Sequence, residues 1–144
     1  LLIPIIRGKK VLDFKCGFAP LAEYDTYGFD AYEGCISYLK HRYPNGNWIC
    51  KSDSDFASAF NEKIDVMLHL GMGDSMTEVD SAMAIWKKCR PQIVILECCA
   101  DVAGQSDRWK RLVSHLDGNL HELITDMTKR DRRWVFIGKP VNVD

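Results

Sequence analysis

Short apolar runs alternate along this chain with longer amphipathic stretches, and that rhythm predicts an α/β layered fold with a mostly parallel sheet. Five runs, Lys10 to Phe14, Tyr27 to Asp30, Asn47 to Cys50, Ile64 to Leu70 and Gln92 to Cys98, read as strands. Each is short and largely apolar, as a strand buried on both faces must be. Between them, Glu33 to Arg42 places Ile36, Leu39 and Tyr43 at helical spacing and ends at Pro44-Asn45-Gly46. Asp74 to Lys88 carries Met76, Val79, Met83 and Trp86 on one stripe, with Pro91 beyond. Ser106 to Leu116 carries Trp109, Leu112, Val113 and Leu116, and Asp117-Gly118 reads as its stop.

The last third breaks the alternation. Leu120 to Met127 and Arg133 to Ile137 read as strands, and Thr128 to Arg132 as the polar turn between them. A parallel pair needs a crossover of a dozen or more residues, so these two strands are expected to be antiparallel neighbours. At the other end, Leu1 to Ile6 is apolar and lacks the charged front of a signal peptide. It is expected to be the end of a helix or lead-in that packs on the sheet, with natural residues missing before it.

The chain has 144 residues and no Gly-, Pro- or Ser-rich linker, which gives one domain over residues 1–144. An apolar fraction of 47% without any run long enough to span a bilayer describes a soluble protein. A net charge of -1 names neither nucleic acid nor membrane as an obligatory partner. The basic clusters at Arg108 to Arg111 and Lys129 to Arg133 read as a solvated helix face and a hairpin turn. No aromatic residues are interleaved with them in a base-stacking pattern, which disfavours nucleic acid further. The six cysteines show no zinc-type spacing, so no metal site is expected. Several lie in apolar runs, where a free thiol behaves as a small hydrophobe, as expected in a reducing cytoplasm.

Candidate chemistry gathers at strand ends. Val11-Leu12-Asp13-Phe14-Lys15-Cys16-Gly17-Phe18-Ala19 is a strand running into a tight turn, where small residues let backbone approach a ligand. Asp30, in Tyr27-Gly28-Phe29-Asp30-Ala31-Tyr32, stands at the end of the second strand, where one carboxylate can accept both hydroxyls of a ribose. Trp48 to Phe56 puts Asp53, Ser54 and Asp55 just past the third strand, in a Ser/Asp-rich stretch where an Asp taken alone is more often a cap or turn residue. Ile64 to Gly73 ends the fourth strand in His69-Leu70-Gly71. A lone histidine there is more often structural or solvated than catalytic. Cys98 and Cys99 read as buried thiols, and Glu97 either faces the cleft or serves a turn or sheet edge.

In that order of motifs the chain resembles the class I S-adenosylmethionine (SAM)-dependent methyltransferases over nearly its whole length. The resemblance implies a Rossmann-like seven-stranded, mostly parallel sheet with a C-terminal antiparallel hairpin and helices on both faces. It implies SAM as cofactor, held by Phe14, Lys15, Cys16, Gly17, Asp30, Ala31, Tyr32, Asp53, Ser54, His69, Leu70 and Gly71, with Asp53 the first choice and Asp55 the second for the adenine contact, and methyl transfer to a small-molecule acceptor. The family's first motif is Gly-x-Gly-x-Gly; here Gly17 is its middle glycine, while Lys15 and Ala19 replace the outer two. Lys15 has three accommodations: folded outward, paired with a ligand carboxylate, or across the pocket. Pro20 to Tyr24 leaves room for barely one helical turn where relatives carry a helix. Asn/Asp-Pro-Pro-Tyr/Phe and Pro-Cys are both absent after the fourth strand, which disfavours the exocyclic-amine nucleic-acid enzymes and cytosine C5 chemistry.

Two other readings accompany methyl transfer: a degenerate nucleoside-binding or scaffold subunit, and an enzyme using SAM for a different reaction. A nicotinamide dehydrogenase fits less well, because Gly-x-Gly-x-x-Gly is missing. No catalytic residue is assigned. The acceptor site is expected in loops around Phe56 to Asn61 and Gly71 to Ser75, in the missing N-terminus or on a partner, which leaves a protein partner or homo-oligomer open.

Overall fold

The computed structural model describes residues 2–71, 76–100, 107–126 and 131–142. Seven strands form one sheet: β1 (Val11–Asp13), β2 (Tyr27–Asp30), β3 (Asn47–Cys50), β4 (Val66–Leu70), β5 (Ile93–Cys99), β6 (Leu116–Asp126) and β7 (Asp131–Pro140). They lie side by side as β3-β2-β1-β4-β5-β7-β6. The first five are parallel, and β7 runs antiparallel to both β5 and β6. This is the predicted topology, with the strand order reversing direction between β1 and β4. Such a reversal opens a crevice at the carboxyl ends of the two strands, because their connections leave toward opposite sides.

The helices are α1 (Ile3–Ile6), α2 (Glu33–Arg42), α3 (Asp53–Ala59), α4 (Met76–Cys89) and α5 (Asp107–Ser114), with a short 3-10 turn at Ala22–Tyr24. Strand alternation sorts the core into two faces. Leu12, Phe14, Phe29, Met67, Val94, Leu96 and Phe136 meet Phe56 and Phe60 of the α3 segment, Val79, Ile85 and Trp86 of α4, and Trp109 and Leu112 of α5. On the other face Val11, Val66, Leu68, Ile95 and Val135 pack around Ile6 of α1. Trp48 of β3 meets Ile36 and Leu39 of α2 beside the β1 turn. The expected packing of the N-terminal apolar stretch on the sheet is therefore observed for Ile6, which is fully buried.

Three local expectations need correction. The stretch from Asp53 through Phe60 is helical for its first seven residues rather than a turn and loop, because Ser52 caps it. The Ser52 hydroxyl accepts the Asp55 N–H at 3.2 Å, which satisfies one of the helix's orphan donors. The helix read as Ser106 to Leu116 stops at Ser114, and the following strand starts at Leu116 instead of Leu120. Asp117 and Gly118 are paired in that strand rather than ending a helix. Gly118 is required there, since a Cβ would lie 2.0 Å from the Ile137 carbonyl oxygen and 2.4 Å from Gly138 Cα. Finally, β7 starts at Asp131, so Asp131 and Arg132 belong to the strand and not to the turn. The rest of that turn, residues 128–130, lies outside the described residues together with Met127, the end of the predicted strand before it, as do 72–75, which include the start of the predicted Asp74 to Lys88 helix, and 101–106, which include the first residue of the predicted Ser106 to Leu116 helix.

A candidate nucleoside crevice at the strand ends

The turn leaving β1 keeps the backbone of a glycine loop although two of its glycines are replaced. Lys15, Gly17 and Ala19 all lie in the left-handed region, with φ of 54°, 53° and 48°. For a residue with a Cβ that conformation costs on the order of 1 kcal/mol, so Lys15 and Ala19 are held there by their surroundings. Cys16 N–H donates to the Phe29 carbonyl at 2.8 Å, and Ala19 N–H donates to the Cys16 carbonyl at 2.7 Å, which ties the turn to β2 and closes it. Ala19 and Cys16 are themselves buried. At Gly17 a Cβ would meet nothing within 4 Å, and the same is true at Gly71 across the crevice, where φ is 63°. Open space therefore borders the backbone on both the β1 and β4 sides.

Asp30 closes the end of β2 over this turn. Its Oδ2 accepts the Gly17 N–H at 3.0 Å and its Oδ1 accepts the Tyr32 N–H at 2.9 Å. Both oxygens are thus oriented by backbone, and each keeps a lone pair for a further donor. Ala31 and Tyr32 are exposed beside it, and Ser54 is exposed on the first turn of α3.

Lys15 folds inward. Its Nζ lies 3.3 Å from Asp53 Oδ2 and 3.4 Å from Glu78 Oε2, with the lysine side chain 29% exposed and the Glu78 side chain 2%. Burial works to lower the ammonium's pKa, but the charges of Glu78 and then Asp53 outweigh it and hold Lys15 above its ordinary value. Glu78 Oε1 in turn meets His69 Nε2 in a short hydrogen bond. His69 is fully buried and packs edge-on against Phe14. The result is a chain Asp53–Lys15–Glu78–His69 that crosses from the end of β3 to the end of β4.

The structure brings Lys15, Gly17, Asp30 and Asp53 to one crevice, with Leu70 and Gly71 at the exit of β4. It does not bring the side chains of Phe14 and His69 there: both are core, so either would meet a ligand only through backbone. Glu97 lies on the β4–β5 side, where Oε2 accepts the Gly71 N–H at 2.8 Å and Oε1 pairs with Arg133. Arg133 is therefore half-buried in an ion pair rather than on a solvated turn. Cys98 is buried and Cys99 half-buried, and all six cysteines are free thiols.

Three carboxylates escaped sequence reasoning. Glu78 reads as a polar helix position, yet it shares the buried α4 stripe with Ala82, Ile85 and Cys89, a spacing that marks it in retrospect. Asp13 and Asp25 form a buried acid pair behind the β1 turn, 1% and 9% exposed. Burial first, then the Asp25 charge, pushes Asp13 well above the usual carboxylate range; burial pushes Asp25 up to about 7. Among the described residues no three His, Cys, Asp or Glu gather as metal ligands, and no helix is long and apolar enough to cross a membrane.

No protein-family model and no curated protein matches the chain. Its fold nevertheless matches that of many solved structures. The N-methyltransferase NodS from Bradyrhizobium japonicum WM9, solved with S-adenosylhomocysteine (SAH), superposes with a TM-score of 0.70 at 11% identity, covering 92% of this chain and 78% of that one. An rRNA methylase from Streptococcus thermophilus gives 0.68 at 12% identity, covering 98% and 92%. The magnesium protoporphyrin IX methyltransferase ChlM from Synechocystis PCC 6803, with bound SAM, gives 0.67 at 14% identity, covering 94% and 71%. At such identities the likeness is one of fold, and the chain has the class I SAM-dependent methyltransferase fold.

Proposed function

We propose that this chain binds SAM in the crevice between β1 and β4 and takes part in methyl transfer to a small acceptor. The observation that carries the reading is the oriented carboxylate of Asp30 over a turn whose three left-handed residues reproduce a glycine loop. Asp30 would take the ribose hydroxyls, Gly17 and its neighbours would give backbone to the ligand, and Asp53 would accept from the adenine amino group. Backbone of His69, Leu70 and Gly71 would line the methionyl side. The open space at Gly17 and Gly71 supports the fit of such a ligand.

When bound, SAM brings an already activated methyl group. The protein's part is then chiefly alignment of the acceptor, which requires no dedicated catalytic residue. Lys15 competes with the adenine, because its bridge engages the same Asp53 that the adenine amino group would use. NodS, the rRNA methylase and ChlM act on different acceptors by their names, so the fold leaves the acceptor open.

Isothermal titration of the purified chain with SAM and with SAH tests the proposal. Saturable binding of both near one equivalent is expected. Absence of binding by the folded chain would refute the enzyme reading and leave a scaffold that has only the fold.

A further inference from the structure

On the sheet face away from α3 and α4, α2 packs against Trp48 of β3, and Ile6 of α1 packs among Val11, Val66, Leu68, Ile95 and Val135. Beyond α1, where β4 and β5 end against the hairpin, lies a cavity of about 420 Å3. That volume is within the range of small-ligand sites, about 300 to 1,000 Å3. Leu21, Leu70, Leu123 and Val135 supply apolar wall from four separate segments, and the charged lining residues are Glu97 and Arg133.

Those two charges are paired with each other. Glu97 is also fixed by the Gly71 N–H on its other oxygen, and a carboxylate with two bonds keeps lone pairs for another donor. A charged ligand would meet repulsion from one member of the ion pair and give up part of its hydration against the apolar wall. An uncharged ligand with one O–H avoids that cost and gains a bond to a preoriented acceptor.

We propose that this cavity binds a small uncharged molecule with a rigid apolar body and a single hydroxyl, the hydroxyl donating to Glu97. Leu70 in its wall directly precedes Gly71 of the crevice, so the two sites share the exit of β4. The role of this ligand as the methyl acceptor rests on the methyl-transfer reading; its binding does not. A polyanion such as RNA does not suit a recess of this size with mainly apolar walls.

Three probes with one apolar body test the proposal: 2-naphthol, 2-naphthoate and 2-naphthylmethylamine, each titrated calorimetrically into the whole chain, with SAH titrated separately. For a body of this size 2-naphthol is expected to bind with Kd about 0.1 to 1 mM, and the charged probes at least tenfold more weakly. Leu123→Trp fills the cavity from the exposed edge strand, where the fold tolerates it, and should weaken 2-naphthol at least tenfold without changing SAH binding. Glu97→Gln removes a negative charge beside Arg133 and should shift preference toward 2-naphthoate.

The proposal is overturned if 2-naphthol does not bind, if Leu123→Trp leaves its affinity unchanged, or if the charged probes bind as well. It is equally overturned if sedimentation shows a dimer that Leu123→Trp dissociates, since a second copy would then cover the cavity. Binding of 2-naphthol without SAH refutes the methyl-transfer reading alone, and SAH without 2-naphthol refutes this proposal alone.

Discussion

The buried acid pair makes a specific demand on how stability varies with pH. Asp13 sits at the end of β1 and Asp25 just after the 3-10 turn, and among the described residues Asp13 Oδ2 and both Asp25 oxygens have no hydrogen-bond partner except within the pair. In the unfolded chain both carboxyls return to about 3.8. The folded values are raised, so the native state holds protons that the unfolded state has released. The contribution of Asp25 is therefore complete below about pH 4 and is lost as pH rises through its folded value of about 7, while that of Asp13 is lost as pH rises through its own raised value. The Asp25 proton alone changes stability by about 1.4 kcal/mol per pH unit, so between about pH 5 and 7 the wild type should lose about 2 to 3 kcal/mol through Asp25, with any loss through Asp13 added to it.

Asp25→Asn replaces one carboxyl with an amide of the same shape that stays neutral and still bonds to Asp13. Its stability should approach that of the wild type at about pH 5 and exceed it by about 2 to 3 kcal/mol at about pH 8. Urea unfolding followed by tryptophan fluorescence at four pH values between these limits measures the difference. If the two stability curves run parallel, or the gap closes as pH rises, the Asp25 carboxyl is not raised in the folded chain and the reasoning fails.

Other consequences follow from the crevice and the hairpin. Asp30→Ala should weaken SAH binding by about 1 to 3 kcal/mol, the scale of lost charge-assisted hydrogen bonds; an unchanged Kd by calorimetry would mean that the ribose lies elsewhere. Lys15→Met should destabilise the chain by about 1 to 3 kcal/mol by leaving the buried Glu78 with one partner fewer. Most of that loss should disappear in the background of Glu78→Gln, read as a double-mutant cycle in urea. Gly118→Ala should cost about 2 kcal/mol or more, since its methyl group has to push β6 off β7. A thermal midpoint within a degree of wild type would contradict the pairing described here.

The order of elements was legible because it is a local property. Tyr27–Asp30, Asn47–Cys50 and Glu33–Arg42 appear at the residues predicted, each being set by its own periodicity and by Pro or Gly punctuation. The antiparallel hairpin was legible from the shortness of its connection. Its true start was not: Gly118 looks like a stop in sequence, and only the backbone of Ile137 and Gly138 against it shows that a strand needs it. The α3 helix was hidden for a related reason, since its Ser/Asp-rich opening is as characteristic of turns as of capped helices.

The positions of Lys15, Gly17, Asp30 and Asp53 at strand ends were likewise determined by sequence, because a strand's end and the turn after it are fixed by a few neighbours. What those residues do to one another was decided by the tertiary structure. Lys15 meets Glu78 across 63 residues of chain. The carboxyls of Asp13 and Asp25 are raised above their ordinary range because folding strips both of water. Charge and burial act through space, and no local pattern records which distant side chain will share a desolvated site.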